Sequence, residues 1–245
     1  ARPTQRPRHE TQRARRRQGE LSAHARRIAQ SVRRFVERTP GGPALRPIAM
    51  LDTGLALSSF PGSRSIVARD YIGSGAAFGR RLDDDHDLRG HGTRVARLVT
   101  ASLPEHVPLV SGRVAGADEQ DITVLRVATA FAHLVASHEP MVVNLSLAPR
   151  DDQLVCPRCR RAIAVEAFHS LILPYVFRLA APNTLTVMAA GNRRQVANAR
   201  HALAETDGLT LVEAADSRGV LAGYSNRVDR EYAQVARAFG GDTVK

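Results

Sequence analysis

The stretch Gly90-His91-Gly92-Thr93-Arg94-Val95-Ala96-Arg97-Leu98-Val99 decides how the rest of the chain is read. A histidine between two glycines sits where backbone can approach closely. The apolar Val95, Ala96, Leu98 and Val99 behind it predict a helix from His91 to about Ala101, with its first turns anchored in a core. Such a helix would hold the ring rigidly and leave it free to act. An isolated histidine is more often structural or simply exposed, so the segments around it decide its meaning.

Upstream, Ile48-Ala49-Met50-Leu51 reads as a buried parallel strand that runs into Asp52-Thr53-Gly54. An aspartate there stands at the carboxyl end of a strand, where α/β folds collect function. By itself Asp-Thr-Gly also fits a turn, a helix cap or the motif of aspartic proteases. Downstream, Met141-Val142-Val143-Asn144-Leu145-Ser146-Leu147 reads as a further strand. Val187-Met188-Ala189-Ala190-Gly191-Asn192 reads as another, ending in an amide that could donate to a developing oxyanion without changing charge. Elsewhere, residues 122–127 read as a strand, 128–138 and 161–179 as helices, 182–183 as a turn, and 185–190 and 209–215 as strands. This alternation predicts an α/β fold, a three-layer arrangement of a parallel sheet with helices on both faces. No internal repeat is present.

A chain of 245 residues, 43% of them hydrophobic, suits one domain of this class. No apolar run approaches the roughly 18 residues of a membrane span. The net charge of +11 is unevenly placed, because residues 1–40 hold 12 Arg against 3 Glu and the remainder is nearly balanced. Residues 1–19 form an Arg-rich arm with almost no apolar content, expected to be disordered. A solvated lead-in is the plain reading of this arm, and contact with a polyanion or membrane surface is the alternative. The early arginines have no aromatic residues among them, so a single-strand-binding platform is unsupported. Across residues 20–39, Leu21, Ala25, Ile28, Val32, Phe35 and Val36 form one helical stripe that ends before Pro40. The catalytic unit is therefore expected over residues 45–245. The chain starts at Ala1 without a basic-then-apolar leader, so any signal or pro-segment is expected to have been removed or never present. The compartment stays open between secreted and cytoplasmic.

Taken in order, the four segments resemble the subtilisin-like serine proteases, the subtilase or S8 family. There the aspartate comes first, then His-Gly-Thr, a substrate strand like Asn144-Leu145-Ser146-Leu147, and Ala-Ala-Gly-Asn. A serine in Gly-Thr-Ser comes last. Leu209 to Asn226, with Asp216-Ser217 and Tyr224-Ser225-Asn226, also resembles the family, so the likeness covers about residues 45–240. It implies a serine endopeptidase in which His91 takes the serine proton and passes it to the leaving amine. Asp52 would hold the imidazole tautomer and Asn192 would stabilise the oxyanion. Asn144, Leu145, Ser146, Leu147 and Ala148 would bind an extended peptide through main-chain hydrogen bonds.

The resemblance stops short of the serine. Residues 232–241 resemble the strand and turn before Gly-Thr-Ser, but Asp242-Thr243-Val244-Lys245 follows. Ser225 falls in a non-catalytic turn of the family, and Thr243 has no helix behind it. A C-terminal piece carrying the serine is the expected partner, and the chain alone is expected to be inert. The alternative is a pseudoprotease that binds peptides without cutting them. Arg94 and Arg97 stand where the family commonly has histidine and glycine, an expected change of packing beside His91. Ala148 replaces a usual glycine, and a loop common in relatives between Val127 and Ala128 is missing; both suggest a preference for small residues at some subsite. Cys156 and Cys159 fit an oxidised loop staple, a redox pair or half of a zinc site. The run Asp83-Asp84-Asp85-His86-Asp87 is either a solvated acidic loop or a calcium site, with Asp84 and Asp87 as candidate ligands. No other cofactor is expected.

Overall fold

Every residue of Ile48–Asp52 is buried, which a strand achieves only when both faces of its sheet are covered. The computed structural model describes residues 46–60, 62–101, 103–116, 122–147, 154–155, 162–163, 166–192, 196–197, 206–216, 218–228 and 234–239. The Arg-rich arm at 1–19, the helix expected at 20–39, Ala148, Cys156, Cys159 and Thr243 lie outside these residues. In chain order the described strands are Ile48–Asp52 (β1), Ile66–Asp70 (β2), Arg80–Leu82 (β3), Leu109–Arg113 (β4), Val142–Leu145 (β5), Leu154–Val155 (β6), Ala162–Ile163 (β7), Leu185–Ala189 (β8), Val196–Ala197 (β9), Leu209–Ala215 (β10), Arg227–Val228 (β11) and Gln234–Phe239 (β12). The helices are His91–Ala101 (α1), Val124–His138 (α2) and Glu166–Ala180 (α3).

Eight strands form one sheet in the order β12-β10-β8-β5-β1-β4-β2-β3. Its neighbours are parallel apart from the antiparallel pair of β2 and β3. Because successive side chains of a strand point to opposite faces, β1 divides its apolar residues between two cores. Ala49 and Leu51 join Val110, Val143 and Leu145 beneath α2 and α3. Met50 packs on the other side with Leu55, Ala96 of α1 and Leu109. The protein is thus the three-layer α/β fold that the sequence predicts.

Several elements differ from the expectation: β2, β3 and β4 stand where no strand was read, and the helix expected at 161–179 starts only at Glu166, with β7 at Ala162–Ile163 before it. Two differences have a clear local reason. Residues 122–127 read as a strand because of Ile122, Val124 and Val127, yet the helix starts at Val124. Thr123 takes extended dihedrals and its hydroxyl accepts from the Arg126 N–H at 3.1 Å, an N-cap. From there Val124, Val127, Ala128, Phe131 and Leu134 recur at helical spacing and are buried against the sheet, each large one worth about 1.5–3 kcal/mol. Phe131 meets Phe177 of α3 edge to face, with ring centroids 4.8 Å apart. The second difference is β4, whose Leu-Val-Ser-Gly-Arg run carries a glycine mid-strand. A Cβ on Gly112 would come within 2.5 Å of Leu51 Cδ2 and 2.7 Å of Tyr71 Cε2, so the bare backbone is what lets both side chains pack there.

Candidate active site

The sheet order places the candidate residues. After β1 the chain builds β2, β3 and β4 on one side, then crosses to lay β5 on the other. The crevice of an open α/β sheet lies at such a reversal, outside the carboxyl ends of the strands. Asp52 is the last residue of β1 and is wholly buried at that point. Its Oδ1 accepts from the Thr53 N–H at 2.8 Å and faces His91 Nδ1 at 2.6 Å. Its Oδ2 is buried without a hydrogen-bond partner among the described residues.

His91 is the first residue of α1, and its side chain is 43% exposed. With Nδ1 turned to the carboxylate, Nε2 is the nitrogen left for chemistry. The imidazole pKa is raised, first by the hydrogen bond to Asp52; burial opposes this, the Asp52 charge adds to it, and Arg94 pulls the other way. The paired, protonated ring therefore contributes stability below the ordinary histidine pKa, and that contribution is lost as pH rises through the raised folded value. A base must be neutral, so the acidic limb of any activity that uses His91 is displaced upward from the ordinary histidine value.

Two glycines make this approach possible. Gly54 turns the chain at a φ of +112°, and Gly92 lies so close to it that a Cβ there would sit 2.2 Å from Gly54 O. Gly92→Ala must therefore push α1 away from β1. We expect a loss of about 1–3 kcal/mol in stability together with a broken Asp52–His91 contact, read by thermal unfolding and by histidine NMR.

A second set of bonds surrounds the pair and converges on Asp87, one of the two calcium candidates. The Asp87 carboxylate accepts from Thr53 Oγ1 at 2.7 Å and the Gly90 N–H at 2.9 Å through Oδ1. Through Oδ2 it accepts from the Thr93 N–H at 2.7 Å and Thr93 Oγ1 at 2.6 Å. Its pKa is lowered: burial pushes upward, but the bonds from Thr93, Thr53 and Gly90 outweigh it. Thr53 Oγ1 in turn accepts from the Gly92 N–H at 2.9 Å, and Thr93 Oγ1 from the Ala56 N–H at 2.9 Å. Asp84, the other calcium candidate, is exposed and paired with His86. Among the described residues no three His, Cys, Asp or Glu side chains gather as a metal site. Arg94 and Arg97 are both exposed on α1, and the Arg94 charge opposes protonation of His91.

Asn192 follows β8 and is exposed. The turn before it is held by Asn226, which donates from Nδ2 to Ala190 O at 2.9 Å and from its backbone to Gly191 O at 2.8 Å. Gly191 has a φ of +100° and would put a Cβ 2.7 Å from Asn226 Nδ2, so that position also needs glycine. In the expected substrate segment, β5 is flanked on both sides, by β1 through Asn144 and by β8 through Leu145. Leu145 and Leu147 are buried in the core, and Asn144 donates from Nδ2 to Ser146 Oγ at 2.9 Å. Backbone free of the sheet ladder begins at Ser146. Sequence reasoning does not assign Thr53, Asp87 and Thr93 the task of holding the site; an aspartate four before His91 and threonines after Asp52 and Gly92 are the signal it offers.

A buried carboxylate joined to a histidine at the reversal point of a parallel sheet defines an α/β protein equipped for proton transfer at the carboxyl edge of its strands. The chain belongs to the subtilase family, peptidase family S8, whose model matches residues 47–236. Its fold is similar to that of the nisin leader peptidase NisP from Lactococcus lactis, at 17% identity and a TM-score of 0.54, over 80% of this chain and 62% of that one. It is also similar to the epidermin leader peptide processing serine protease EpiP from Staphylococcus aureus, at 20% identity and a TM-score of 0.51, over 75% of this chain and 50% of the other. A third likeness is to the psychrophilic subtilisin-like protease Apa1 from Pseudoalteromonas sp. AS-11, at 18% identity and a TM-score of 0.53, over 80% of this chain and 42% of that one. The chain thus spans less than two thirds of each of these structures. Among curated proteins there is no match. Among the described residues no helix is long and apolar enough to cross a membrane.

Proposed function

We propose that this chain supplies the base, the orienting carboxylate and an oxyanion donor of a serine endopeptidase, and that the nucleophilic serine lies in a segment beyond Lys245. The observation that carries this reading is the 2.6 Å contact between His91 Nδ1 and the buried Asp52 Oδ1. That contact sets the tautomer in which Nε2 accepts the proton of an attacking hydroxyl. As the serine oxygen bonds to the peptide carbonyl, its proton passes to His91, and the ring later delivers it to the departing amine. The raised pKa of His91 suits this exchange, because the imidazolium that forms is held by Asp52. Asn192, exposed after β8, donates to the carbonyl oxygen as it takes up negative charge. In this reading the backbone at Ser146 and Leu147 pairs with an extended peptide.

Fluorophosphonate labelling of the intact gene product tests the proposal. The expected result is one labelled serine in a Gly-Thr-Ser segment that follows Lys245 or sits on a companion chain. A folded protein that takes no label would overturn the enzyme reading and leave a peptide-binding pseudoprotease.

A further inference from the structure

Asp52 and His91 lie on different elements, so their 2.6 Å contact is only as good as the joint between the end of β1 and the start of α1. That joint is built around one side chain. Asp87 sits in the loop before α1, is half-buried, and accepts four hydrogen bonds. They divide between the two sides of the site. Thr53 Oγ1 comes from the residue next to Asp52, whereas the Gly90 and Thr93 groups come from the residues that bracket His91. The same two hydroxyls continue the ties outward, since Gly92 N–H donates to Thr53 Oγ1 and Ala56 N–H donates to Thr93 Oγ1. Oδ1 thus bridges the strand end and the helix start, while Oδ2 fixes the first turn of the helix.

We propose that Asp87 is the positioning residue of the site, the group that sets the distance and angle between Asp52 and His91. This rests on the protease reading for its consequence, but the geometry it concerns exists in the protein whatever that protein cuts. An acceptor-only group suits the place. Four donors converge on two oxygens, and an ionised carboxylate offers about four lone-pair directions with no proton of its own to collide with them. An amide of the same shape would turn an N–H₂ toward two of the donors. The threonine hydroxyls can turn to accept from it, but in either orientation a backbone N–H, of Gly90 or of Thr93, faces the amide hydrogens and loses its bond, and the helix start shifts relative to the strand end. Misplacement of reacting groups by about 1 Å costs on the order of 10²-fold in rate.

The test compares Asp87→Asn with Asp83→Asn in the full-length protein. Asp83 is exposed in the same acidic run, and its bonded partner among the described residues is Arg81. The first readout is the low-field ¹H NMR resonance of the His91 Nδ1–H held by Asp52. It should be present in the parent protein and in Asp83→Asn, and lost or moved upfield in Asp87→Asn. The second is kinetic: kcat should fall on the order of 10²-fold in Asp87→Asn while KM changes little. The pair Thr93→Val and Thr93→Ser repeats the test without touching the carboxylate, since serine restores the hydroxyl and should restore the resonance. A parent protein that cuts nothing would sink the protease reading while the resonance still decides on Asp87. An unshifted resonance in folded Asp87→Asn, or a Thr93→Ser variant that behaves like Thr93→Val, overturns the positioning role.

Discussion

On the proposed function, His91→Ala is expected to lower turnover of the intact gene product by about 10⁶-fold, the size of loss known for subtilisin, itself a member of this family. The cause is local. No other titratable side chain among the described residues hydrogen-bonds to Asp52, so none is oriented by that carboxylate as His91 is. Removal of the imidazole also strands the carboxylate, which keeps the Thr53 N–H on one oxygen while the other already lacks a partner among the described residues. Because His91 is partly exposed, water enters the space it leaves, and the stability cost should stay within about 1–3 kcal/mol. Steady-state kinetics on the intact protein, with a thermal melt of the same variant, check both numbers. A variant that retains more than about a thousandth of parent activity would remove His91 from the role of base.

Asp52→Asn is expected to cost about 10⁴-fold in turnover with little change in fold. An asparagine keeps the shape but offers Nδ1 either a donor or a neutral acceptor, so the ring is no longer held in the tautomer that leaves Nε2 free. The pH profile separates this from simple misfolding. The raised pKa of His91 owes most to its bond with Asp52, so in the variant the acidic limb of kcat/KM should move to lower pH. A limb that stays where it was would mean that Asp52 does not set the basicity of His91.

Both of these residues are legible in the amino-acid sequence, and the reason is chemical. His91 lies between glycines that leave room for close backbone approach, and Gly92 touches the Gly54 backbone directly. Asp52 ends a run of four apolar residues that form the fully buried β1. Strands β5, β8 and β10 are legible in the same way, as short apolar runs within a covered sheet. β4 is not, because Gly112 interrupts its pattern to make room for Leu51 and Tyr71, two residues distant in sequence. The start of α2 reads as a strand because β-branched residues cluster there, and the decisive event is the Thr123 cap on Arg126.

The order of the motifs therefore determined the family, the sheet-and-helix class and the choice of Asp52 and His91 as the candidate pair, all of which depend on residues near one another in sequence or on their succession along the chain. Tertiary structure alone decided the strand order that brings Asp52 to the reversal point, and the convergence of Thr53, Gly90 and Thr93 on Asp87. A hydrogen bond between groups 34 residues apart depends on how two loops meet, and no periodicity along the chain records that meeting.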